Sequence, residues 1–120
     1  MSINKGLIIK SPWIDYILSG EKIWEIRGSA TRIRGRIGLI KSGSGTLLGE
    51  VSIVDCLELD LQTYKSSSNK HRIDLGLNSL PYKKTFAWVL DEPITYDNPI
   101  KYNHPMGAII WVNLDHIREK

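Results

Sequence analysis

Only one stretch of this sequence is punctuated as a helix at both ends, and that limits what the chain can fold into. Ser11-Pro12 opens it and Gly20 closes it. Ser11 is expected to cap free N–H groups, and Pro12 at the first helical position lacks the N–H that would go unsatisfied there. Trp13, Ile14, Ile17 and Leu18 give this segment an apolar face, and Gly20 tolerates the left-handed conformation that ends a helix. A doubly wound fold needs helices alternating with strands. One such helix does not supply them.

Most of the chain reads with a period of two. Leu7-Ile8-Ile9 has no helical room before Pro12 and predicts a buried strand. Ile23 to Arg27 predicts another, with Trp24 and Ile26 on one side and Ile23, Glu25 and Arg27 on the other. Residues 28–35 read as a basic loop. Arg36 to Lys41 and Leu47 to Asp55 read as a hairpin around the turn Ser42-Gly43-Ser44-Gly45. Leu57, Leu59 and Leu61 alternate, Leu61 to Tyr64 can start a short helix, and Asn69 to Asp74 is a candidate helical turn. Strand character returns at Thr85 to Leu90. Pro93 and Pro99 bracket extended, edge-like chain, and Gly107 to Leu114 reads as a final buried strand. About six strands with one to three short helices point to an α+β fold, a small mixed β-barrel plugged or flanked by helices, in a single domain over residues 1–120.

Composition agrees. Of the 120 residues, 42% are hydrophobic and 24% charged, so a core is feasible and a disordered chain is excluded. Cys56 is the one cysteine, so no internal disulfide forms, and it reads as a small packed hydrophobe. No apolar run approaches the ~20 residues that span a bilayer. The first ten residues lack a secretory h-region. The expected setting is cytoplasmic, away from the membrane.

The formal net charge is +3. Arg27, Arg32, Arg34 and Arg36 fall within ten residues. A second basic stretch holds Lys65, Lys70, His71 and Arg72, with Lys83 and Lys84 beyond. Charge alone leaves two readings open: a solvated loop, or a surface that tracks phosphates, with Arg32, Arg34 and Arg36 on an RNA backbone.

The chain has no G-x-S-x-G, P-loop or G-x-G-x-x-G. His71, His104 and His116 lack metal-ligand spacing, and neither a metal nor a cofactor is expected. The segment Gly20-Glu21-Lys22-Ile23-Trp24-Glu25-Ile26-Arg27 is different. Glu25 and Arg27 share a strand face, ~7 Å apart along it. Facing a cleft, Arg27 can hold a phosphate or carbonyl, and Glu25 can accept from an exocyclic amine, the complement of cytosine N4. Lys22, desolvated near Trp24, would have a lowered pKa and suit a base. On open surface the same residues would be an ion-paired strand. Trp13, Trp24, Tyr82 and Tyr102 are candidate stacking platforms, and His104, before Pro105 and Gly107, is a candidate ligand contact.

Gly20-x-Lys22-x-x-Glu25-x-Arg27, after a strand and a helix, resembles the signature of the ASCH domain family. Trp88-Val89-Leu90, Pro99-Ile100-x-Tyr102-x-His104-Pro105-x-Gly107-Ala108 and Trp111-Val112 resemble its last strands. The resemblance spans residues 6 to 114, with a poor match over 56–84. It implies a PUA-like β-barrel, a cleft lined by Lys22, Glu25 and Arg27, and recognition of RNA or a modified nucleoside as partner. Some relatives are amidohydrolases that remove the acetyl group of N4-acetylcytidine, with a lysine matching Lys22 as base. In those a threonine nucleophile stands where this chain has Glu25, so their mechanism does not transfer intact. If this chain is an enzyme, Lys22 and Glu25 would be catalytic. Asp55 or Glu58 is the candidate acid, with Asp60 and Asp74 also in the poorly matching region. A ribonuclease is a further possibility that the family raises.

Overall fold

Short runs of β-branched and leucine residues, interrupted by glycine and proline, build a six-stranded sheet. The computed structural model describes residues 3–114. Strands β1 (Lys5–Ile9), β2 (Trp24–Arg27), β3 (Gly35–Lys41), β4 (Thr46–Leu59), β5 (Thr85–Lys101) and β6 (Trp111–Asn113) are joined by helices α1 (Trp13–Leu18), α2 (Leu61–Ser66) and α3 (Ser68–His71). The order across the sheet is β2-β5-β4-β3-β1-β6. Only β1 and β3 run parallel, Leu7 opposite Leu39 and Ile8 opposite Ile40. The fold is α+β, a curled half-barrel with three short helices, as the strand count in the sequence predicts. Among the described residues no helix is long and apolar enough to cross a membrane.

Helix α1 is buried because its apolar face enters the curl. Ile14 and Ile17 pack with Leu7, Ile9, Leu39, Val51, Ile53, Trp88 and Leu90 in the main core. A second cluster, Ile3, Ile40, Leu47, Val112 and Leu114, fills one end. A third lies on the outer side of β2, where Trp24 and Ile26 meet Leu59, Tyr64 and Ala87. Helices α2 and α3 belong to this third cluster through Tyr64 and His71, which are stacked at 4.6 Å.

Several local expectations shift. Ser11 does not cap α1: Pro12 occupies the N-cap, and the Ser11 hydroxyl donates to Asp15 Oδ2 at 3.0 Å, because that carboxylate offers an acceptor one turn on. The final strand covers only Trp111–Asn113, and Ile109 and Ile110 are exposed. Strand β4 runs past Asp55 to Leu59, because Cys56 to Leu59 find partners in Thr85 to Trp88. His116 lies outside the described residues.

The edge character of Pro93 and Pro99 is borne out. Strand β2 covers β5 only from Phe86 to Val89, so beyond that β5 has β4 on one side alone. There the missing proline N–H breaks no ladder, and both prolines fall where the β4–β5 register shifts.

Gly49 makes the tightest backbone approach in this pairing. A Cβ there would stand 2.2 Å from the Ile94 carbonyl oxygen and 2.7 Å from Leu18 Cδ2. Gly49→Ala is therefore expected to lower stability by about 3 kcal/mol, the upper end for overpacking, since the obstacle is backbone. Urea unfolding should show a lower midpoint with an unchanged slope. A midpoint equal to that of the parent chain would refute this packing.

Candidate functional site

Gly20, with φ +86°, turns the chain out of α1. The next residues are fastened on both sides. Lys22 N donates to Tyr16 O at 2.9 Å, Ile23 N donates to Lys70 O at 2.9 Å, and Ile23 O accepts from Leu90 N at 2.8 Å. Strand alternation then sends Trp24 and Ile26 into the third cluster and Glu25 and Arg27 to the opposite face. Lys22, Glu25 and Arg27 meet in one cleft of about 370 Å³, walled by Ile8 to Lys10, Trp13, Ile73 and Tyr82. The run lies in a pocket and not on open surface.

Glu25 is the hinge of the arrangement. Its Oε2 accepts from Arg27 Nε at 2.9 Å and pairs with Arg27 Nη2 at 2.8 Å. Its Oε1 lies 3.9 Å from Lys22 Nζ. Arg27 Nη2 also donates to Ile8 O at 3.1 Å, tying the edge strand β2 to β1, and the guanidinium lies 5.5 Å from the Trp88 ring centroid. Glu25 is 7% exposed and Lys22 only 2%.

Lys22 Nζ donates to His71 O and sits 5.2 Å from the Trp13 ring centroid. Burial pulls its pKa down to about 8. Glu25 opposes that shift and Arg27 adds to it. The pKa lowering foreseen for Lys22 is present, but the ring beside it is Trp13. Trp24 lies in the core, with Lys70 over its ring at 4.9 Å.

His71 is the support that the sequence did not single out for this role. Its Nδ1 accepts from Ile73 N at 3.0 Å, which leaves the proton on Nε2, donated to Tyr64 O at 2.8 Å. Burial holds its pKa below the usual histidine value. A neutral, fixed ring thus holds the carbonyl that receives Lys22.

The other candidates scatter. Trp13 and Tyr82 line the cleft, as do Lys10, Ser42, Ile73 and Ile109, which no motif marked. Tyr82 lies on Gly28, where a Cβ would come within 2.8 Å of its ring. Tyr102 and His104 are elsewhere: Tyr102 packs on the second cluster, and its hydroxyl bonds His104 Nδ1 at 2.9 Å while His104 Nε2 reaches Ala108 O at 2.8 Å. Asp55, Glu58, Asp60 and Asp74 are exposed and line no part of the cleft. Asp55 accepts from Cys56 N, and Asp60 caps α2 through Thr63 N. Glu25 is thus the only carboxylate among the described residues lining the cleft. Arg36 is held by Glu50 at 2.8 Å, by Ser52 Oγ and by Glu92 O. Arg34 donates to the carbonyls of Thr31 and Ile33 within its own loop, and Arg32 is exposed.

No curated protein matches the chain. Its fold is similar to the crystal structure of an ASCH protein from Zymomonas mobilis, with a TM-score of 0.70 at 15% identity over 92% of this chain and 86% of that one. A tyrosine-to-phenylalanine variant of that protein gives 0.67 at 16% identity, over 81% and 74%. A serine-to-alanine variant gives 0.66 at 16% identity, over 92% and 87%. At these identities the likeness is one of fold. The model of the ASCH domain matches residues 7–100, most of the chain and all of the Lys22–Glu25–Arg27 segment, and on that match the protein belongs to the ASCH domain family.

Proposed function

We propose that the cleft binds a pyrimidine base, presented in RNA or as a modified nucleoside. The observation that carries this reading is Glu25, held by Arg27 through one oxygen with the other near Lys22, in a cleft that Trp13 and Tyr82 also line. Glu25 Oε1 is an acceptor. Lys22 Nζ is a donor near it, and Arg27 offers a further donor in Nη1, which makes no hydrogen bond among the described residues. Acceptor beside donors is the complement of the cytosine edge, whose N4 donates while N3 and O2 accept. An N4-acetyl group keeps one N–H for Glu25 and adds a carbonyl for Lys22. A volume of about 370 Å³ lies at the small end of ligand sites and suits one base with its sugar. Exposed Arg32 and Arg34 remain candidates for RNA phosphates, whereas at Arg36 a phosphate would compete with Glu50.

One observation favours a second reading, a small amidohydrolase acting on N4-acetylcytidine-type nucleosides. A lysine with pKa about 8 has a neutral fraction at physiological pH and can act as a base. Against it, Glu25 is engaged by Arg27, and the acid candidates Asp55 and Glu58 lie outside the cleft. An acetate-release assay with N4-acetylcytidine separates the two. No turnover is expected. Turnover abolished in Lys22→Met would replace binding with hydrolysis, and cleavage of single-stranded RNA by the same protein would favour the ribonuclease.

Titration of tryptophan fluorescence with cytidine, N4-acetylcytidine and short RNA should saturate. Arg27→Ala and Lys22→Met, checked for folding by circular dichroism, should each weaken binding about tenfold or more, the usual effect of losing a charged hydrogen bond. No saturation with any of the three ligands would end the base-binding account.

The pH dependence has a defined sign. Below about 8 Lys22 is protonated and donates; above it the charge is lost. Affinity is expected to hold steady below that pH and to fall as pH rises through it, and Lys22→Met should flatten the profile.

Gly28→Ala tests the wall. Gly28 has no left-handed φ, so alanine fits the backbone, but its Cβ displaces the Tyr82 ring. The variant should keep its melting temperature within a few degrees and bind up to about tenfold more weakly, since base stacking contributes ~1–3 kcal/mol. Unchanged affinity would remove Tyr82 from the site.

A further inference from the structure

We infer that the cleft selects a pyrimidine that carries a phosphate, with Lys10 as the phosphate contact, a conclusion that rests on the base-binding reading above. The charge of the lining leads there. Lys10, Lys22 and Arg27 stand against Glu25 alone, an excess of two positive charges while Lys22 is protonated. Glu25 already partners Lys22 and Arg27. Lys10 has no ion pair or side-chain hydrogen bond among the described residues, and it is exposed at the cleft wall. A neutral nucleoside would leave that excess to water and counterions. A phosphate would meet it.

The layout fits one nucleotide unit. Ile8 O accepts from Arg27, and Lys10 follows Ile8 by two residues, about 6–7 Å along an extended chain. The base pocket and the unpaired cation are therefore neighbours on one wall and do not overlap. Lys41 and Lys83 are exposed and adjoin the lining residues Ser42 and Tyr82 in sequence. A phosphate at Lys10 comes from either a free nucleotide or a nucleotide within RNA. The shared chemistry is a pyrimidine with a phosphomonoester or phosphodiester.

The test is calorimetric titration of the intact protein at low salt with cytidine, its 5′- and 3′-monophosphates, ribose 5-phosphate and a cytidine-containing pentanucleotide. The expected result is that one monophosphate binds about tenfold or more tightly than cytidine, as a charge-assisted contact implies. Lys10→Met should remove most of that advantage and reduce the salt slope by about one unit. Lys10 is exposed, so the variant is not expected to unfold. Cytidine binding as tightly as both monophosphates overturns the phosphate contact and leaves base recognition standing. Ribose 5-phosphate binding as tightly as the monophosphates, with no binding of cytidine, keeps the anion site and overturns base recognition. Binding of none overturns both. The pentanucleotide separates the sources: tighter binding than the monophosphate assigns an RNA strand, and equal binding assigns the free nucleotide, each with the phosphate contact intact.

Discussion

The pair between Arg27 and Glu25 does two jobs at one place. Arg27 reaches from the edge strand β2 to the carbonyl of Ile8 on β1, and so ties together two strands that lie far apart in the order of the sheet. The same guanidinium holds Glu25 through two of its nitrogens. A buried ion pair of this kind is weak support for stability, because desolvation offsets much of the attraction, yet removing one partner leaves an uncompensated charge. The pair is best understood as a device of specificity. It fixes where β2 stands, and by fixing β2 it fixes the wall of the cleft.

Lys22 shows what this arrangement demands elsewhere. An ammonium that is almost fully buried is unfavourable unless its donors are met. One donor goes to His71 O, and Glu25 stands within ion-pair distance. His71 in turn is locked by Tyr64 and by the Ile73 amide. The short helices α2 and α3 are thus more than a cover for the outer face of β2. They deliver the acceptor that lets a lysine stay inside. The residual penalty is visible in the lowered pKa of Lys22.

Much of this was readable from the residues and some was not. The helix bounded by Pro12 and Gly20, the alternation through Trp24 to Arg27 and the edge prolines follow from local stereochemistry, which acts over a few residues. The lysine–glutamate–arginine run was readable because its members share a strand face and a turn. Lys10, Ser42 and Ile73 were not, since only the closure of the sheet brings them to Glu25. Residues 56–84 resisted reading for a related reason. Leucine alternation continues a strand to Leu59, after which Asp60 caps a helix of only six residues, too short to show a period. Arg36 looked like one more cation in a basic loop, and its commitment to Glu50 comes from the pairing of β3 with β4, which charge counting does not reveal. Tyr102 and His104 have the composition of ligand contacts, but their polar atoms bond each other and Ala108 O and knit their own loop.

The identity of residue 25 carries the chemical argument furthest. A hydroxyl at this position, beside a lysine of lowered pKa, would be a nucleophile with a base next to it. A carboxylate pulls in the other direction. It raises the affinity of Lys22 for its proton and orients Arg27, so both neighbours become fixed donors. The same three-residue spacing therefore suits a nucleophile with its base when it carries a hydroxyl, and a set of fixed donors when it carries a glutamate. With glutamate in place, Arg27 is held in one orientation and the second carboxylate oxygen stands toward Lys22, so the polar lining of the cleft is fixed by the fold.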